Sequence, residues 1–134
     1  MDHQSNHIRV VVGGSRYTYD KSFVFETLDL IHAQRPIKRL AHGDCEGADT
    51  LANQWAQTHR IECIAYPANW NEYPDGDPRR RTAGPRRNEK MLSQEKPDLV
   101  IAFPGGRGTR DLIRQAMRMG LEVMEVAKWN KNTA

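Results

Sequence analysis

The feature that most constrains this fold is an alternation. Short runs rich in β-branched residues are each followed by a turn and then by a stretch with helical periodicity. Residues 8–12 carry Ile8, Val10, Val11 and Val12 and run at once into Gly13-Gly14-Ser15-Arg16. Residues 21–33 then place Val24, Leu28 and Ile31 at i, i+4 and i+7, one face of a helix. Pro36 ends that helix and sends the chain into a second strand at 37–41. After His42-Gly43-Asp44-Cys45-Glu46-Gly47 comes a helix whose narrow apolar stripe is Ala48, Leu51, Ala52, Trp55 and Ala56. A third strand at 61–66 stops at Pro67. The irregular segment 68–83 holds Trp70 and Tyr73, and loops of that length inside compact domains are often functional.

The pattern then repeats. A helix begins near Gly84-Pro85, since proline suits a first turn, and runs to about Gln94. A fourth strand occupies 98–103, followed by Pro104-Gly105-Gly106-Arg107-Gly108-Thr109. The last helix has Leu112, Ile113, Ala116 and Met117 on its inner face and ends at Gly120, and a fifth strand occupies 121–126. Strands alternating with helices predict a three-layer α/β domain over residues 1–134, with a five-stranded parallel sheet in a core of about 8–126. The first and fourth strands are continuously apolar, as expected where helices cover both faces. Charge interrupts the others at Lys38, Arg39, Glu62, Glu122 and Glu125. The first and fourth therefore sit at the centre, giving the Rossmann-like order 3-2-1-4-5. That order reverses between strands one and four and opens a crevice at their carboxyl ends.

The loops flanking the crevice are the glycine-rich Gly13-Gly14-Ser15-Arg16 and Pro104 to Thr109, with the loop His42 to Gly47 beside them. Glycine lets backbone approach an anion closely, and the N–H groups and positive dipole end of the following helix then solvate phosphate. A single such loop is as readily explained by a tight turn. Three at one sheet edge point to a ligand. The 28% of charged residues and 38% of hydrophobic residues suit a folded chain rather than a disordered one, and the formal net charge of +3 favours anionic partners. No apolar run reaches the ~20 residues that a membrane span needs. Residues 1–6 lack the apolar stretch of a signal peptide, so a cytoplasmic location is the default expectation. Cys45 and Cys63 read as reduced thiols. His42 and Cys45 have the spacing of a metal pair, but no second pair completes it, so neither metal nor cofactor is expected.

Taken together, Gly13-Gly14-Ser15-Arg16, the run from Gly43 to Asp49, Ala83-Gly84-Pro85-Arg86-Arg87-Asn88 and Pro104 to Thr109 resemble the SLOG superfamily. They are most similar to its YspA/YpsA-related small proteins, which occur in bacteria and phages. The resemblance spans roughly residues 8–126. It implies a Rossmann-like fold that binds nucleotides or nucleotide-derived molecules. One SLOG branch, the LOG phosphoribohydrolases, cleaves the N-glycosidic bond of nucleoside 5′-monophosphates with a catalytic arginine and glutamate. Arg87 stands at the arginine's place in Arg87-Asn88-Glu89-Lys90-Met91. At the glutamate's place this chain has Leu112, with Asp111 one residue earlier and rotated by about 100° around the helix. Asp44, Asp49 or Asp111 would have to supply the carboxylate that such a cleavage needs.

The remaining candidates each have a structural alternative. Arg16 either clamps a phosphate or lies on the surface. Asp49, in a first helical turn, either stabilises the dipole or accepts bonds from ribose hydroxyls. Trp70 either stacks on a base or covers the edge of the core, whereas Trp55 belongs to the core. Arg79, Arg80, Arg81, Arg86 and Arg87 could follow a nucleic-acid backbone, as in the DprA-like branch, but without the aromatic-basic alternation of a stacking platform. The leading expectation is a binding or sensing domain. The phosphate rests on Gly105, Gly106, Gly108 and Thr109, with Pro104 and Arg107 in the same loop. Gly13, Gly14, Ser15 and Arg16 lie opposite. The second loop adds His42, Gly43, Asp44, Gly47, Ala48 and Asp49, and Arg87, Asn88 and Trp70 complete the set. A phosphoribohydrolase-like reaction with Arg87 and Asp111 as catalytic residues is the alternative, and nucleic-acid binding the third. A homodimer or higher homo-oligomer is expected.

Overall fold

Val10 and Val12 face one side of the strand β1 (Ile8–Gly13) and Val11 the other, and all three are buried. That double burial fixes β1 at the middle of the sheet. The computed structural model describes residues 7–18 and 20–127. Over them the chain forms β1, α1 (Lys21–Gln34), β2 (Ile37–His42), α2 (Ala48–Thr58), β3 (Glu62–Ala65), a 3-10 turn (Pro78–Thr82), α3 (Ala83–Glu95), β4 (Leu99–Ala102), α4 (Arg107–Arg118) and β5 (Val123–Glu125). All five strands are parallel, in the order β3-β2-β1-β4-β5. This is the order that the distribution of charge among the strands implies. Among the described residues no helix is long and apolar enough to cross a membrane.

The two faces of the sheet carry separate cores. Helices α1 and α2 press Val24, Leu28, Ile31, Ala52 and Trp55 against Val10, Val12, Leu40 and Ile101. Helices α3 and α4 press Met91, Leu92, Leu112 and Ala116 against Val11, Ala41 and Val100. Each fully buried aliphatic side chain stabilises the fold by about 1.5–3 kcal/mol. Trp55 is fully buried, as its stripe predicts, and its indole N–H donates to Asp29 Oδ1 at 2.8 Å while the ring stacks on His59. Burying that ring leaves no unpaired polar atom on it.

The elements begin and end where local chemistry requires. Asp20 caps α1 by accepting from the Phe23 amide at 3.1 Å. The α4 helix closes with Gly120 at φ 74° and a Leu121 N–H bond to Ala116 O at 3.0 Å. Strands β3, β4 and β5 are each shorter than the apolar runs suggest; before β3 and β5 the Ile61 and Leu121 amides bond back to Ala56 O and Ala116 O of the preceding helices. Before β4, Asp98 accepts from the Arg9 amide through its carboxylate. The α4 inner face also differs from expectation: Thr109, Leu112 and Ala116 are buried, whereas Met117 is exposed. One step along a helix turns a side chain by about 100°, which carries Met117 off the face that Ala116 occupies.

Under α3 lies a buried charged group that pattern reading did not single out. Glu95 is 3% exposed; it accepts from Arg39 Nε at 2.7 Å and from the Tyr66 hydroxyl at 2.5 Å. The Arg39 guanidinium holds the Glu95 carboxyl below its usual 4.5, against the opposing effect of burial. A carboxyl lowered by folding stabilises the native state above its unfolded pKa, and the stabilisation is lost as pH falls through the lowered value. Replacing Glu95 by alanine leaves Arg39 with Glu62 alone, so the loss should lie near the lower end of the ~3–5 kcal/mol seen for broken buried pairs. Urea unfolding at neutral pH measures this. The variant's stability should also fall less than the wild type's between pH 5 and pH 3, and an equal fall in both contradicts this role.

Candidate functional site

The carboxyl edge of the sheet is organised by the backbone of one residue. The Ser15 amide donates to Pro104 O at 3.0 Å, and the Ser15 carbonyl accepts from the Ala48 amide at 3.1 Å. The loops after β1, β2 and β4 are thereby tied together at a single residue. Two glycines allow the approach. A Cβ on Gly14 would lie 2.6 Å from Ala48 Cβ and 2.9 Å from Phe103 Cβ, and Gly47, at φ 79°, is pressed against the Ser15 and Arg16 backbone. At these positions glycine serves packing, and Gly47 and Ala48 lie behind the site rather than in it.

In front of this junction is a cavity of about 930 Å³. Helix α4 begins at its rim with Gly106 as N-cap and no side-chain cap. The amides of Arg107, Gly108 and Thr109 take no partner among the described residues, and a Cβ at Gly106 or Gly108 would meet open space. The first turn of α4 thus presents three free N–H donors and its positive dipole end to the cavity. Arg16, Arg107 and Arg110 line the same space, and none has a carboxylate partner among the described residues. Thr109 is buried, with its hydroxyl against Gly105.

The floor is a chain of hydrogen bonds. Asp49 Oδ2 accepts from the Gly43 and Cys45 amides at 3.0 and 3.2 Å, which folds the β2–α2 loop over the start of its own helix. Its Oδ1 is buried without a partner, and burial pushes the carboxyl above the usual range while His42, the two amides and Arg87 oppose that. The Arg87 guanidinium donates to Gly43 O and Tyr66 O and lies within 3.9 Å of Cys45 Sγ. Its Nε donates to Asn88 Oδ1 at 2.9 Å, and Asn88 Nδ2 donates in turn to Gly108 O and Asp111 Oδ2. Gln115 donates to Asp111 Oδ2 as well, at 2.8 Å. Arg87 and Asn88 therefore connect the β2 loop to the first turn of α4 across the base of the cavity.

Of the residues singled out from sequence, Gly13, Gly14, Ser15, Arg16, Gly43, Asp49, Trp70, Arg87, Asn88, Asp111 and the run Gly105 to Thr109 come together around this cavity. His42, Asp44, Gly47, Ala48 and Pro104 do not line it. His42 is buried, accepting from the Asp44 amide and donating to Asn53, and Cys45 Sγ faces Gly43 O, so the two do not form a ligand pair. Ser15's amide and hydroxyl are both engaged within the protein, the hydroxyl by the Tyr17 amide at 3.0 Å. Trp70 is 46% exposed, and its ring lies across Gly84 as a side wall. Arg110 and Arg114 in the lining were missed by sequence reading, which weighed Arg81 only for a nucleic-acid backbone and Cys45 only for a metal pair. Arg110 and Arg114 were detectable as the i+3 and i+7 positions from Arg107.

The arginine-rich segment is largely self-compensated. Arg79 pairs with Asp77, Arg80 with Asp75 and Arg86 with Glu72, while Arg79 and Arg86 both stack on Tyr73.

Comparison with known proteins agrees with this architecture. The model of the YspA, cpYpsA-related SLOG family matches residues 8–73. The Gene 61 protein of Mycobacterium phage D29 is 33% identical over 124 residues, covering 87% of this chain and 94% of that protein. In structure, the chain is similar to DNA processing protein A (DprA) from Streptococcus pneumoniae, with a TM-score of 0.68 at 18% identity over 92% of this chain. It is also similar to UDP-GlcNAc 2-epimerase from Neisseria meningitidis, with a TM-score of 0.53 at 16% identity, again over 92% of this chain. The chain spans 52% of the length of the first structure and 33% of the second, and at these identities the likeness establishes the fold.

The glycines separate into two groups with different expected responses. Gly47→Ala should destabilise the protein by at least ~1–3 kcal/mol, from positive φ combined with collision against Ser15 O. Gly106→Ala, with open space around it, should lose only about 0.5–1 kcal/mol, the cost of alanine as the poorer N-cap. Chemical denaturation of both variants checks this, and equal losses contradict the assignment of Gly47 to packing.

Proposed function

The chain belongs to the YspA, cpYpsA-related SLOG family, and from that premise we propose that it binds a nucleotide-derived ligand through a phosphoryl group seated on the first turn of α4. The observation that carries this reading is the set of free amides at Arg107, Gly108 and Thr109, facing a cavity where neither Gly106 nor Gly108 carries a side chain. An anion there accepts three N–H bonds and gains from the helix dipole. Arg16, Arg107 and Arg110 add charge-assisted bonds, which are roughly twice as strong as neutral ones. Trp70 offers an aromatic face at the side of the cavity for a base.

The floor supports binding rather than glycoside hydrolysis. Arg87 is engaged with main-chain carbonyls, so it shapes the pocket and lends positive charge. Asp111 Oδ2 accepts from the side-chain amides of Asn88 and Gln115, so that oxygen is already engaged in holding the floor together. The ion pairs of Arg79, Arg80 and Arg86 weigh against a nucleic-acid track built on those three arginines.

Calorimetry with nucleosides and their mono- and diphosphates tests the proposal. At least one phosphorylated ligand should bind where its nucleoside does not. Gly108→Ala should stabilise the fold by up to ~1 kcal/mol, because alanine is the better helix former, yet weaken that binding by placing a methyl group in the cavity. If no nucleotide binds, or if Gly108→Ala leaves affinity unchanged, the proposal fails.

A further inference from the structure

We propose that the ligand carries a second phosphoryl group, separated from the first by its ribose, as in a nucleoside 3′,5′-bisphosphate. This inference rests on the binding reading above and specifies the ligand for the same site. Arg107, Arg110 and Arg114 stand at i, i+3 and i+7 of α4 and all line the cavity, so the cavity extends along the helix flank as well as across its end. Seven residues at ~1.5 Å per residue carry Arg114 about 10 Å along the axis from Arg107. Arg81, from the 3-10 turn, lines the same cavity.

Charge accounting separates two subsites. One phosphoryl group on the first turn of α4 satisfies the three amides together with Arg16, Arg107 and Arg110. It leaves Arg81 and Arg114 without an anion. Among the described residues the only carboxylates in the lining are Asp49 and Asp111. Asp49 is committed to the Gly43 and Cys45 amides, and Asp111 reaches Arg114 only at 3.5 Å, with the arginine side chain 59% exposed. The cavity volume of about 930 Å³ lies near the top of the ~300–1,000 Å³ that small-molecule sites span, so there is room for a ligand reaching both groups. Phosphates adjacent in a diphosphate would crowd at the first subsite. Phosphates on opposite sides of a ribose let the second group reach toward Arg114, two turns along α4 from Arg107.

Calorimetry on the full chain with the four common nucleoside 5′-monophosphates, 5′-diphosphates and 3′,5′-bisphosphates tests this. For at least one base, the bisphosphate should bind roughly tenfold or more tightly than both other forms, the gain of one further charge-assisted contact. Arg114→Gln should reduce the ratio of monophosphate to bisphosphate Kd to below about threefold, while circular dichroism confirms an intact fold. A bisphosphate no tighter than the monophosphate, or matched by the diphosphate, overturns the inference and leaves the α4 phosphate site standing. Absence of binding by all twelve nucleotides overturns both. Far tighter binding of a 5′-phosphorylated oligonucleotide than of any bisphosphate also overturns it, in favour of a single-stranded nucleic acid.

Discussion

The backbone of Ser15 is the constraint on which the rest of the site depends. Its N–H bonds to the loop after β4 and its C=O to the first residue of α2, so three connections that are distant in sequence meet at one point. Buried backbone groups must find partners, and here they find them across loops rather than within an element. The junction is possible because Gly14 and Gly47 remove the Cβ atoms that would hold the loops apart. Once the loops are joined, the end of α4 is fixed relative to β1, and the space in front of it has a defined floor and rim.

Two kinds of glycine therefore share one edge. Those behind the junction bring backbones together; Gly106 and Gly108 leave the first turn of α4 uncovered. A helix end that is neither capped nor packed is costly unless water or a ligand meets its amides. The floor holds this turn in place: Asn88 bonds to Gly108 O, Arg87 bonds to Asn88, and Arg87 is itself anchored on Gly43 O. A pocket built in this way is organised before any ligand arrives, which lowers the ordering cost of binding.

Much of the fold was legible because burial leaves a pattern in sequence. Continuous apolar residues in β1 and β4, against Lys38, Arg39 and Glu62 in the outer strands, were enough to order the sheet. Small residues around Trp55 marked the face of α2. Other features leave no such trace. The Ser15 bonds use main-chain atoms that every residue but proline possesses. The Glu95 group joins side chains 56 and 29 residues apart, and neither period nor spacing announces it. Met117 followed its apolar neighbours in sequence but not in space, because a difference of one position on a helix changes the face. Within the site, the convergence of the glycine loops was readable, and the spacing of Arg107, Arg110 and Arg114 put them on one face of α4, but that they border the cavity depends on the placement of the helix. For Asp49 the sequence offers a dipole contact or an acceptor for ribose hydroxyls, and neither reading announces the bonds its carboxylate makes to the Gly43 and Cys45 amides of the preceding loop.

The central claim is that the open amides of α4 receive the ligand's phosphoryl group. Amide-resolved NMR of the ¹⁵N-labelled protein, titrated with inorganic phosphate and then with a nucleoside monophosphate, addresses it directly. The account predicts that the Arg107, Gly108 and Thr109 signals move downfield and saturate, as N–H groups do on hydrogen bonding to an anion, while the Ser15 amide, already bonded to Pro104, shifts little. If those three signals stay in place, while either ligand perturbs another part of the surface or none at all, the account is wrong.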